Sequence, residues 1–262
     1  MLDIFDAVCT KEKIVYWLHS GTLLGSVRDS RLIPWDDDVD LSMPRKSFDK
    51  IRIMRKDLSN ESITFSFPED SDVFYDFIPG FFCEEYLVEQ KCVDMSGHSL
   101  SSYISPKIDL FVLDECKKGL HHRLTVVKLL SKYLLARGHR QIKMKLDLRT
   151  SIIVKPLFVA IAKLYEQKGS KMDYTKILDE YEYISKRETI FNCSYLFISN
   201  DQPWSLSKIY TKSMFTKTVK GKIGNKEFPI PDGYHDILTI IYGDYTVIVP
   251  PNERKPSHYV FK

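Results

Sequence analysis

The pattern of apolar and polar positions divides this chain into a mixed front half, a helical middle and a strand-rich end. Residues 2–9 (Leu2, Ile4, Phe5, Val8) have the spacing of a short helix lying against a core. Residues 14–18 are β-branched and aromatic and predict a strand that stops at Ser20-Gly21. Residues 22–27 read as a helical turn opening after that glycine, with backbone N–H groups free to face an anion. A loop over 29–34 and a second strand over 38–42 follow. Pro44 then marks a helix start, and Phe48, Ile51, Met54 and Leu58 predict an amphipathic helix over 44–58.

From 62 to 113 the periodicity turns β-like, with short aromatic runs around 64–67, 73–77 and 86–88. The clearest strand is 107–113, where Asp109 interrupts an otherwise apolar run. Leu124, Val127, Leu130 and Leu134 then recur at helical spacing, and further helices are expected over 152–165, across Pro156, and near 174–187. The last stretch returns to strand and turn chemistry through Phe228-Pro229-Ile230-Pro231, with a helix ending at Tyr242. The expected class is α+β: a mixed sheet flanked by helices with a helical insertion. Its divisions are a catalytic core over 1–115, a basic helical insertion over 116–190 and a C-terminal segment over 191–262 that packs back on the core.

Composition narrows the class. With 262 residues, 44% hydrophobic and 28% charged, the chain can bury a substantial core. A formal charge of +3 is too small for a nucleic-acid binder. Cysteines at 9, 83, 92, 116 and 193 form no Cys-x-x-Cys pair and fit free thiols in a reducing compartment. No basic region followed by an apolar run opens the chain, so the sequons at Asn60 and Asn192 carry little weight. No apolar run reaches membrane-spanning length. The expectation is a cytoplasmic protein.

The charge pattern sharpens at two places. Residues 117–149 hold ten Lys or Arg against one acid, Asp147. The ordinary meaning is the solvated face of helices; the functional one is peripheral contact with an anionic membrane or a polyanionic acceptor. Asp36, Asp37, Asp38 and Asp40 fall within five positions beside a strand. Carboxylates crowded against a core repel one another and resist desolvation, and a divalent cation relieves both. Strand alternation puts Asp38 and Asp40 on one face, with Asp109 on a separate strand as the third carboxylate. Gly21 and Thr22 offer a tight turn and a hydroxyl to phosphates. The structural alternatives are a solvated acidic loop for the triplet and an ion-pair partner for Asp109. Together these residues describe a phosphoryl-transfer site binding Mg²⁺, or Mn²⁺.

The stretch from Trp17 to Met43, containing Gly21-Thr22-Leu23-Leu24-Gly25, Arg28 and Ile33-Pro34-Trp35-Asp36-Asp37-Asp38-Val39-Asp40, resembles the signature of the LicD family. That family is similar to fukutin and fukutin-related protein within the nucleotidyltransferase superfamily. Ile108-Asp109-Leu110-Phe111-Val112-Leu113-Asp114 resembles its second block, and Phe228 to Tyr234 with Tyr242-Gly243-Asp244-Tyr245 its closing block. The sequence departs from the pattern at Ser20, where a first glycine is common, and at Asp29 and Arg31 in the loop. The resemblance implies a nucleotidyltransferase-like fold and transfer of phosphocholine, or a related phospho-substituent, to a glycan or lipid-linked glycan acceptor. The donor would be CDP-choline or a similar activated nucleotide. It also implies Asp38, Asp40 and Asp109 as metal and catalytic residues, with Gly21, Thr22, Arg28, Trp35 and Asp37 on the substrate side. Trp204 and Tyr234 are further aromatic candidates for a cytosine or a choline ammonium. Two rivals remain: a nucleotidyltransferase that moves the nucleoside monophosphate, and a non-catalytic binding protein on the same fold.

Overall fold

The computed structural model describes residues 1–36, 38–60, 62–70, 77–83, 88–93, 99–104, 107–138, 167–169, 171–201, 205 and 207–254. Its elements open with α1 (Leu2–Glu12), β1 (Trp17–Leu18) and α2 (Ser20–Leu24). A π-helical turn over Gly25–Asp29, β2 (Val39–Pro44) and α3 (Arg45–Leu58) come next. Strands β3 (Ile63–Ser66), β4 (Gly80–Cys83), β5 (Val88–Val93), β6 (Ser99–Ile104) and β7 (Lys107–Cys116) lead into α4 (His121–Gly138) and α5 (Tyr174–Arg187). The chain finishes with β8 (Tyr195–Ile198), β9 (Tyr210–Thr211), β10 (Thr218–Ile223), β11 (Lys226–Pro231) and α6 (Tyr234–Tyr242).

The central sheet runs β1-β2-β7-β4-β3, and β8 pairs with the second half of β7 and carries β9. Among the described residues its one parallel pairing is β2 with β7; the others are antiparallel, which makes the sheet mixed and the class α+β. β7 is the axis of the molecule. Ile108, Leu110 and Val112 are fully buried, so the strand is covered and reads as a near-continuous apolar run. β2 contributes Leu41 and Met43 to the same core, beside Phe5 of α1 and Ile51 of α3. A second apolar cluster holds Val126, Leu130 and Tyr133 of α4 against Ile177 and Tyr181 of α5.

The elements differ from expectation chiefly at their edges. The first strand is shorter, because Ile14 is held by Cys9 O at the end of α1 (2.8 Å) before the ladder begins. The helical turn expected over 22–27 starts at Ser20 and continues into the π-helical turn, which closes at Ser30 in the left-handed region (φ 53°). β2 starts one residue later than expected, leaving Asp38 just ahead of it. The helices expected over 44–58 and 174–187 are present as α3 and α5. The expected helix over 152–165, the aromatic runs over 73–76 and at 86–87, residues 139–149 of the basic run, and Trp204 lie outside the described residues.

A buried ion pair locks the sheet to the helical middle. Asp114, fully buried on β7, faces the Arg45 guanidinium in two contacts, one of them Nε to Oδ1 at 2.7 Å. Ser199 also donates to Asp114, and Tyr181 of α5 bonds Ser199 at 2.8 Å. Arg45 reaches Glu182 of α5 at 3.3 Å as well. A carboxylate buried to this degree requires such partners.

Candidate functional site

The site forms where β2 and β7 run parallel and in register, Asp40 opposite Asp109. Directly paired residues present their side chains on the same face, so the lone aspartate of an apolar strand meets the acidic strand start across the ladder. One carboxylate oxygen each from Asp38, Asp40 and Asp109 lies within 4.8 Å of the others. Asp109 stands 69 and 71 positions from Asp40 and Asp38 in sequence; the sheet brings them together.

Asp40 is held rigidly. Its N–H donates to Thr22 Oγ1 (2.9 Å), and its carbonyl accepts from the His19 N–H (2.9 Å). Asp40 is 9% exposed, and its carboxyl is pushed well above the usual carboxylate range, first by burial and then by Asp38, Asp109, Asp36 and Asp201. Lys107, two residues before Asp109 on the same strand face, places Nζ 2.7 Å from Asp109 Oδ1 and supplies a counter-charge. An all-oxygen donor set with surplus negative charge suits a hard divalent cation such as Mg²⁺ or Mn²⁺.

Thr22 is almost fully buried, and its hydroxyl oxygen accepts the Asp40 N–H rather than standing in the open. Gly21 is where the loop closes over the helix: a Cβ built there would sit 1.9 Å from Asp36 Oδ2. The missing side chain therefore makes room for a fourth carboxylate. Ser20, before it, holds a left-handed φ of 41°, which explains why a glycine is common at this position in the family pattern. Arg28 forms a two-point pair with Asp29 (2.8 and 3.0 Å), which raises Arg28 and lowers Asp29 from their ordinary values through that hydrogen bond. The Trp35 ring lies under the Arg254 guanidinium at 4.6 Å, so the C-terminal segment reaches the acidic loop. Asp37 lies outside the described residues.

Several neighbours were not singled out from sequence. Tyr242 of α6 is 42% exposed, yet its phenol is pushed up by local desolvation and by Asp40, Asp36 and Asp38, which brings the closing block to the carboxylates. Tyr210 is raised by burial and by Asp201. His19 is buried between Phe111 and Tyr210 and lowered to about 3 by burial and Lys208, so it stays neutral. Lys107 could have been found by strand alternation from Asp109. Asp201 and Tyr210 carry no local signal; the β8–β9 pairing places Tyr210. Tyr234 is half-buried against the main core.

Comparison with known proteins agrees with this geometry. The family model described as "LicD/FKTN/FKRP, nucleotidyltransferase domain" matches residues 13–132. The lipopolysaccharide cholinephosphotransferase LicD of Haemophilus influenzae is 26% identical over 260 residues, covering 98% of this chain and 92% of that protein. Uncharacterized proteins of Rickettsia prowazekii and Rickettsia typhi are each 56% identical over 34 residues, 13% of this chain. The matched segment holds the whole carboxylate cluster and both strands that build it, and over residues 13–132 the chain is similar to the LicD family.

Proposed function

We propose that this chain is a phosphotransferase that moves phosphocholine from CDP-choline to a hydroxyl of a glycan or lipid-linked glycan, releasing CMP. The observation that carries the reading is the in-register meeting of Asp40 and Asp109, with Asp38 beside them, a crowding of carboxylates that a divalent cation relieves. The name of the Haemophilus influenzae relative, a lipopolysaccharide cholinephosphotransferase, supports the phosphocholine donor and a lipopolysaccharide-type acceptor.

Asp38 and Asp40 are the ligands proposed for Mg²⁺ or Mn²⁺, with Asp109 either completing the set or accepting the acceptor's proton. The cation, when bound, neutralises diphosphate oxygens and the negative charge that builds on the leaving group. The acceptor oxygen attacks the choline-bearing phosphorus in line, the bond from that phosphorus to the bridging oxygen breaks, and CMP departs. Thr22 and His19 keep Asp40 in place through its backbone. Arg28 and the Trp35 face flank the acidic loop on the substrate side, where Arg28 offsets charge on the leaving phosphate.

The test is nucleotide release from CDP-choline, CDP-ribitol, CDP-glycerol and GDP-mannose, with and without Mg²⁺ and a glycan acceptor. The proposal expects acceptor- and metal-dependent CMP from CDP-choline, abolished in Asp38→Asn and Asp40→Asn proteins that remain folded. Pyrophosphate or a nucleotidylated product would instead identify a nucleotidyltransferase. No metal-dependent cleavage of any donor would leave a binding protein.

A further inference from the structure

A groove of about 980 Å³ opens between α3 and α5, away from the carboxylates. Its walls are Ile53, Met54, Tyr183 and Ile190, and its lining includes five cations, Arg45, Lys46, Lys50, Lys186 and Arg187, against one acid, Asp49. The apolar groups are not core residues glimpsed through a gap. Ile53 is 80% exposed, Ile190 82% and Tyr183 70%, and Phe191 beside them is 60% exposed. Isolated exposed apolar residues are ordinary, but three large ones lining one groove mark a surface that meets something.

The charges at the rim identify the partner. Arg45 and Lys186 are taken up by Asp114, Asp49 and Glu182 inside the fold. Lys50 and Arg187 each have one carboxylate at the edge, Glu12 at 3.8 Å and Glu188 at 3.3 Å, and Lys46 has none among the described residues. Lys117, at the far side, lies 4.3 Å from the Phe191 ring centroid. Protruding aliphatic and aromatic tips bounded by lysines and arginines are the arrangement of a protein that rests on an anionic bilayer. The cations meet headgroup phosphates while the tips enter the acyl boundary, and the long cationic stems cover the transition. We infer that this α3–α5 face docks on an anionic lipid surface.

The groove begins at Arg45, which follows β2 directly, whereas Asp40 sits five residues back, ~16 Å away by strand rise. Docking here would therefore hold the carboxylates off the bilayer, leaving space for sugar units between a lipid anchor and the reacting hydroxyl. That consequence rests on the proposed transfer to a glycan; binding to lipid does not.

The experiment is co-sedimentation of the full chain with vesicles of phosphatidylcholine alone or containing phosphatidylglycerol, at low and high salt. The expected result is binding to the phosphatidylglycerol vesicles that weakens with salt, and little to phosphatidylcholine. Ile53→Ser with Ile190→Ser should lower the partition by at least tenfold. Lys46→Glu should lower it by more than the roughly fivefold that one lost cation implies. Circular dichroism checks folding, and donor cleavage in vesicle-free solution should remain at the wild-type level in these variants. Absence of vesicle binding at low salt, or wild-type binding by the Ile53/Ile190 double variant, would overturn the inference. So would concentration-dependent dimerisation that the double variant loses, which would make the face an interface between copies. Loss of donor cleavage in the wild type while vesicle binding persists would refute the enzymatic reading alone.

Discussion

Replacing Asp40 with Asn tests the central physical claim without any substrate. Carboxylate oxygens of Asp38, Asp40 and Asp109 lie within 4.8 Å of one another. Two unit charges at the outer limit of that separation repel by about 3.5 kcal/mol at an effective dielectric of about 20, so two such neighbours would place about 7 kcal/mol on a charged Asp40 before any relief. Burial and the neighbouring aspartates raise the Asp40 pKa, which favours its protonated form and relieves part of this repulsion, and Lys107 offsets part of the charge on Asp109. What remains should resemble other sites whose function opposes stability, on the order of 1–2 kcal/mol. Asp40→Asn, which retains the size and the N–H to Thr22, should therefore raise the melting temperature in EDTA by ~2–8 °C. Because the folded-state pKa lies above the unfolded value, folded Asp40 holds its proton longer, and wild-type stability falls as pH rises from the ordinary carboxylate range through that raised pKa. The gap between variant and wild type should open over that interval and close on acidification. Saturating Mg²⁺ should invert the order, since ligand at a hundred times its dissociation constant adds about 2.7 kcal/mol to wild type and little to the variant. Differential scanning calorimetry with EDTA and with Mg²⁺ reads both effects. A lower melting temperature in EDTA, or an undiminished Mg²⁺ shift in the variant, would refute the reasoning.

Three further predictions follow from single contacts. Gly21→Ala should displace the flexible end of Asp36, whose Oδ2 lies 1.9 Å from the new methyl position, rather than move backbone. Donor cleavage should then fall at least tenfold, about 1.4 kcal/mol in the barrier, with an almost unchanged melting temperature, and wild-type turnover would contradict this. Ser20→Gly should relieve the left-handed backbone at φ 41° by about 1–2 kcal/mol, partly offset by a more flexible unfolded chain. Calorimetry should show a small rise, and a clear fall would exclude strain at that position. Arg45→Ala should strand the fully buried Asp114, destabilising the protein by about 3–5 kcal/mol, whereas Arg45→Met with Asp114→Leu should recover most of the loss. Denaturant titration of both proteins tests this, and equal instability would show that the pair is not the cause.

The lipid-facing proposal separates the structure from the basic run read in the sequence. Residues 117–149 drew attention because cations are dense there, yet Arg123, in that run, is buried and donates to the Lys118 carbonyl at 3.1 Å. On the α3–α5 face the cations surround protruding apolar tips. Among the described residues no helix is long and apolar enough to cross a membrane.

The sequence by itself determined the carboxylates, the two strands that carry them and the helices whose periodicity is strong. Asp38 and Asp40 share a face by alternation, and Asp109 was conspicuous because a charge inside an apolar strand needs a partner. It also determined that Gly21 and Ser20 border a tight turn. Only the tertiary structure decided that β2 and β7 are parallel and in register with Asp40 opposite Asp109, because register is fixed by packing across the whole sheet rather than by either strand. Only it showed that Thr22 spends its hydroxyl oxygen on Asp40, that Arg28 is tied to Asp29, and that Tyr242 and Asp201 arrive from the far end of the chain. Local sequence sets which residues can bear charge or fit a strand; which of them share one space depends on contacts tens to hundreds of residues apart, and those exist only once the core has closed.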